Sequence, residues 1–262
     1  MILKSYFDVG NQDDSTQYDV VSLAVVSGTE DLWSAFDDDW KQVLAKHKAD
    51  YLHTTYAVSR EGIYEKWTEP QSDAFLMDCV KVAIKHSARA DHEDIKGKYG
   101  IFNVVMSIVL KDFVEFASRN DESPNNVNEC LLRQVLTEVL PWSMDQAACD
   151  QCHFFFDQGE LFYGHLVHLL ENKKARKDAT ALNRITSRTE VDMRVVPALQ
   201  LADLYAWGQC HRNSEWKPIW LQSLLETHFR WQWIDRTNLH LIDQQQQAVW
   251  LSWNLPRRKA TK

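Results

Sequence analysis

The run Val20-Val-Ser-Leu-Ala-Val-Val26 constrains this chain most. It is apolar almost throughout, rich in β-branched residues and too short for a stable helix, so it reads as a buried strand. A sheet must therefore be built around it. Ile2 to Asp8 forms a strand ahead of it, and the polar NQDDSTQ between them suits a hairpin or wider loop, so two antiparallel strands open the fold. Ile101 to Leu110 is β-rich, His153 to Asp157 fits a central strand, and Leu182 to Ser187 fits an edge strand. Between these runs lie helical patterns. Glu30 to His47 sets Leu32, Trp33, Phe36, Trp40, Val43 and Leu44 at spacings of three and four, and the run Asp37-Asp38-Asp39 is read as its solvated face. Further helices are expected over Gln71 to Ser87, opened by Pro70, over Val127 to Val139, ending before Pro141, and over Glu160 to Glu171 and Pro197 to Gln209. The class is α/β. Residues 213–262, rich in Trp and Gln, are expected to add two helices as a C-terminal extension packed on a domain of residues 1–212.

Composition removes several function classes. No stretch approaches roughly 18 uninterrupted apolar residues, so no membrane span is expected. The opening MILKSYFDVG lacks the apolar run of a signal peptide, and a cytoplasmic location is the expectation. The net charge of -8 argues against a nonspecific DNA coat, but leaves room for a nuclease whose cations offset a carboxylate cluster. Five cysteines scattered from Cys79 to Cys210 make no disulfide framework. Cys149-Asp-Gln-Cys-His153 spells C-x-x-C-H, yet it precedes a strand instead of opening a helix and has no second ligand pair, so it is read as a lead into a buried strand.

Three acids stand in unusually apolar company: Asp8 after SYF, Asp157 after HFFF, and Asp203 after LQLA. A carboxylate at the end of a buried strand is costly unless it is paired, hydrogen-bonded or bound to a cation. Taken singly, Asp8 is explained by amides of the next turn, Asp157 by capping the helix near Glu160, and Asp203 by an Arg such as Arg194. Taken together, they form a set whose repulsion a divalent ion would relieve. Hard oxygen ligands favour Mg²⁺ or Mn²⁺, and two such ions about 4 Å apart can activate water in phosphodiester hydrolysis.

The chain resembles the bacterial family called domain of unknown function 3800, itself similar to the ribonuclease H-like fold. The resemblance rests on Tyr6-Phe-Asp-Val-Gly-Asn11, against the family's opening strand and D-E-S-G; on Phe155-Phe-Asp-Gln-Gly-Glu160; and on Leu199-Gln-Leu-Ala-Asp-Leu-Tyr-Ala206, against its L-Q-x-A-D-L helix. A weaker block is Leu52-His-Thr-Thr55 with Trp67 downstream. It implies a ribonuclease H-like mixed sheet flanked by helices, with a metal-binding acidic cluster. Matched residue by residue, it points to Asp8, Asp157 and Asp203 as catalytic and metal-binding, with His53 as a further catalytic candidate and Glu160 or Asp192 as a fourth ligand. Val9 stands where the family has a Glu, and Thr54, Thr55 and Tyr56 follow His53 where an acid is expected.

Other features are read more plainly. Asp91, His92, Glu93 and Asp94 make a solvated loop, and Lys173, Lys174, Arg176 and Lys177 a basic helix end suited to neighbouring phosphates. The late tryptophans, among them Trp216, Trp220, Trp231, Trp233, Trp250 and Trp253, are read as packing of the extension. The leading expectation is a Mg²⁺-dependent nuclease or phosphodiesterase with an RNA or DNA substrate, of which a triggered toxin-like or phage-defence effector is a regulatory variant. The alternative is a non-catalytic interaction module with a degenerate metal site, binding a partner through the Trp-rich region.

Overall fold

A computed structural model describes residues 2–10, 20–88, 100–118, 126–145, 149–174, 182–226, 230–239, 241–242 and 244. The elements in chain order are β1 (Ile2–Gly10), β2 (Val20–Thr29), α1 (Glu30–His47), α2 (Thr54–Ser59), α3 (Glu69–His86), β3 (Phe102–Val109), α4 (Leu110–Ala117) and α5 (Val127–Asp145). They continue with β4 (Gln151–Asp157), α6 (Leu161–Lys174), β5 (Ile185–Val191), α7 (Pro197–Cys210), α8 (Ile219–Leu225) and β6 (Arg230–Ile234). The described strands form one mixed sheet in the order β5-β4-β1-β2-β3-β6. β1, β2 and β3 form an antiparallel meander, while β4 pairs parallel with β1, β5 parallel with β4 and β6 parallel with β3.

Strand alternation divides the interior into two cores. On one face Leu3, Phe7, Leu23, Val104, Phe154 and Phe156 pack with residues of α5 and α6 such as Leu136 and Leu166. On the other, Tyr6, Ala24, Val26, Val105 and Phe155 meet α7 and, beyond it, α1, α2, α3 and α8. α7 is buried from Pro197 to Gln209, which explains its uniform composition: a helix covered by a sheet on one side and by helices on the others has no solvent face to keep polar. It lies close on β1 at Gly10, where a Cβ would stand 2.9 Å from the Ala206 carbonyl oxygen and from Cys210 Sγ. Only glycine admits that approach.

Several boundaries differ from expectation. α5 does not stop before Pro141 but runs on to Asp145, with Pro141 inside it. Pro141 is itself exposed, and the turn around it is held by Trp142 stacking on Phe102 at 4.5 Å while Ser143 Oγ donates to the Leu140 carbonyl at 2.6 Å. The edge strand starts three residues late, since Leu182 is drawn into the core and Arg184 donates to the carbonyls of Ser143 and Cys149.

The extension over 213–262 is not helical throughout. α8 is a short helix and residues 239, 241–242 and 244 are helical, whereas Arg230–Ile234 forms the outer strand of the same sheet. The free edge of β3 supplies the backbone partners, and Gln134 Nε2 donates to Gln232 Oε1 at 2.9 Å, so this segment belongs to the main body. The tryptophans divide accordingly: Trp216 and Trp220 pack around Trp207, Trp231 and Trp233 lie in β6, and Trp250 and Trp253 are outside the described residues. No described helix is long and apolar enough to cross a membrane.

Candidate active site

Asp8 and Asp157 reach the same place by register. Tyr6 pairs with Phe155 across the parallel β1–β4 ladder and their rings stack at 4.8 Å, on the face that α7 covers. Two residues on, alternation returns Asp8 and Asp157 to that face. α7 lies over β1 and β2 and brings Asp203 to them. The turn after β4 bends at Gly159, with φ at +86° and the Glu160 amide donating to the Asp157 carbonyl, so Glu160 folds back towards the strand ends. Glu160 precedes α6 instead of opening it.

Electrostatics show these acids acting on one another. Asp8 is 6% exposed, and its carboxyl is pushed well above the ordinary value by burial, then by the charges of Asp203, Glu160 and Asp157, with the Val9 amide pulling the other way. Asp203 is 8% exposed and also raised, by burial first and by Asp157, against the charge of His53 and the Thr54 amide. Neither they nor Asp157 form an ion pair with Lys or Arg among the described residues.

The structure thus brings together Asp8, Asp157, Asp203, Glu160 and His53. Asp192 stands apart, gripped by its own neighbour Arg194 through both carboxylate oxygens. That pairing also removes Arg194 as the partner of Asp203. Asp157 Oδ1 accepts from the Met193 amide at 2.9 Å instead of capping a helix, and Asp203 Oδ2 accepts from the Thr54 amide at 2.6 Å. Val9 packs into the core on the opposite face of the sheet. The side chain at position 9 therefore points away from Asp8, and Val9 removes no oxygen from the carboxylate face.

Sequence reasoning missed the residue that assembles this site. Gln200 is fully buried. Its Oε1 accepts from Trp40 Nε1 at 2.8 Å and from the Leu52 amide at 2.9 Å, and its Nε2 donates to the Met193 carbonyl at 2.9 Å. One side chain thereby ties α1, the segment before α2 and the turn that anchors Asp157. The His53 amide donates to Tyr64 Oη at 3.3 Å, and that hydroxyl donates to the Tyr51 carbonyl. Three successive amides, of Leu52, His53 and Thr54, are thus held by Gln200, Tyr64 and Asp203. The available signal was Gln200, which with Asp203 and Gln209 interrupts a helix that is apolar along most of its length.

The acidic run of α1 is also more than a solvated face. Asp39 meets Lys85 Nζ at 2.6 Å and His86 Nε2 at 2.5 Å, and Asp78 of α3 meets Lys46 Nζ at 2.6 Å and His47 Nε2 at 2.9 Å. Each Lys-His pair at a helix end grips the middle of the other helix. An open groove of about 540 Å³ between α1 and α3 is lined by these groups and contains none of the site carboxylates. Cys149 and Cys152 are core side chains whose thiols burial pushes up, the reverse of a reactive thiolate. The acids at 91–94 and the side chains of Lys173, Lys174, Arg176 and Lys177 lie outside the described residues.

The donor chemistry, all oxygen, suits a hard divalent cation. Among the described residues, however, no group of three or more His, Cys, Asp or Glu side chains stands in an arrangement that would hold one. Asp157 and Asp203 each commit an oxygen to a backbone amide. No family model, no curated protein and no solved structure matches the chain. The fold and site define an α/β protein with a six-stranded mixed sheet flanked by helices, and with a buried Asp8 and a half-buried Asp157 near the ends of adjacent parallel strands.

Proposed function

We propose that this chain is a metal-dependent nuclease or phosphodiesterase on a ribonuclease H-like sheet, in which Asp8, Asp157, Asp203 and Glu160 hold Mg²⁺ or Mn²⁺. The architectural support is an antiparallel meander continued by two strands parallel to β1, as in the order β5-β4-β1-β2-β3. The observation that carries the site is Asp8. Asp203 and Asp157 each anchor a distant backbone amide, whereas Asp8 meets the amide of its own neighbour Val9. Burying it beside two other acids raises the energy of the metal-free protein without tying any two elements together. A divalent cation held by these carboxylates would supply the missing countercharge and Lewis acidity towards a phosphodiester and its attacking water.

The chain's own groups do the positioning. The Met193 and Thr54 amides fix one oxygen each of Asp157 and Asp203. His53, held by its backbone and close enough for its charge to act on Asp203, is the proton carrier in this proposal. The test is the thermal midpoint of wild type and Asp157→Asn in EDTA, Mg²⁺ and Mn²⁺, since a ligand that binds only the folded state stabilises it by mass action. A rise in wild type that the variant lacks is expected; no rise in wild type sinks the reading.

The second reading is a non-catalytic interaction module on the same fold. It is favoured by the two anchored carboxylates and by the lack of a convergent triad among the described residues. It predicts no metal effect and a partner bound through the Trp-rich part of residues 213–262.

A further inference from the structure

The segment that carries His53 also presents an aromatic ring to solvent. The rings of His53 and Tyr56 stack at 4.1 Å, 17° from parallel, and Tyr56 remains 39% exposed. Nδ1 of His53 is buried without a hydrogen-bond partner, and the next residue's amide, of Thr54, donates to Asp203 Oδ2 at 2.6 Å, so the inner member of the stack lies beside Asp203. The pair is held in place before any ligand arrives. The Leu52, His53 and Thr54 amides are each bonded to side chains, and Tyr56 passes over Gly62, whose missing Cβ would lie 3.9 Å from Tyr56 Cδ2.

We propose that the Tyr56–His53 stack is a platform for an unpaired nucleobase, which makes single-stranded nucleic acid the substrate class of the carboxylate site. This rests on the nuclease reading above. A flat, preorganised ring fits a base because every base has a π-face, whereas bases in a duplex are already stacked on their neighbours. It also fits the charge: with a net -8, phosphate attraction alone is a poor source of affinity here, and stacking is indifferent to net charge.

The experiment measures fluorescence anisotropy of labelled oligothymidylate, alone and annealed to oligoadenylate, in Ca²⁺. Wild type, Tyr56→Phe, Tyr56→Leu and Tyr56→Ala are compared, each with its thermal midpoint with and without Mg²⁺. Tyr56→Leu and Tyr56→Ala are expected to raise the Kd for the single strand about five-fold or more, the effect of one base losing one aromatic ring. Tyr56→Phe should bind like wild type, and the duplex should respond to none of the three. The Mg²⁺ shift should be the same in all four proteins. Wild-type affinity in the folded Tyr56→Leu protein overturns the platform, as does equal sensitivity of the duplex, or failure of wild type to bind the single strand. Loss of the Mg²⁺ shift in wild type, with Tyr56-dependent binding intact, instead strikes the metal site and leaves the platform standing.

Discussion

Replacing Gln200 with Met keeps the length and shape of a fully buried side chain and removes its hydrogen bonds. Trp40 Nε1 and the Leu52 amide lose their partners together, while the Met193 carbonyl loses one of two and keeps the Val196 amide. Each buried polar group left unsatisfied costs about 1 to 3 kcal/mol, so the sum for the two is about 2 to 4 kcal/mol after partial rescue by water or relaxation. That is a large share of the roughly 5 to 15 kcal/mol that holds a typical domain together. Urea unfolding followed by tryptophan fluorescence should show the midpoint fall with an unchanged slope. Asp203→Asn should cost less, because an amide oxygen can still accept from the Thr54 N–H. A Gln200→Met loss below about 1 kcal/mol would refute the idea that this side chain fastens Leu52–Thr54 and Met193 to α7.

Two further outcomes follow from the charges. The Asp8 carboxyl titrates above its unfolded value, so the folded state binds the proton more tightly and stability falls as pH rises from the ordinary carboxylate range towards the raised value. Asp8→Asn should flatten that decline and raise the thermal midpoint of the metal-free protein at neutral pH; an unchanged or lower midpoint contradicts it. At Asp78 burial pushes the carboxyl up, but hydrogen bonds from Lys46, His47 and Lys81 win and hold it well below the usual range. Its stabilisation is present above the unfolded value and is lost as pH falls through the depressed one. Asp78→Asn should cost about 1 to 2 kcal/mol at neutral pH by urea titration, since its lysines are largely exposed, and the deficit should shrink in acid.

What the sequence determined by itself is the set of elements whose burial pattern is local. The Val20 to Val26 run, the spacing of Trp33, Phe36 and Trp40, and the apolar lead into Asp157 each announce a strand or helix because the side chains of one element share one environment. The same reasoning picked out Asp8, Asp157 and Asp203, since an acid beside so much apolar surface is conspicuous in one dimension. Tertiary structure decided everything that depends on a partner far along the chain. Pro141 stays helical because Trp142 finds Phe102, and Arg230–Ile234 is a strand because β3 has a free edge. Gln200 matters because Trp40, Leu52 and Met193 meet on it. Val9 and Asp8, adjacent in sequence, lie on opposite faces of the sheet, one in each core environment. A hydrogen bond or a charge interaction is a property of two places, and a sequence records only one place at a time.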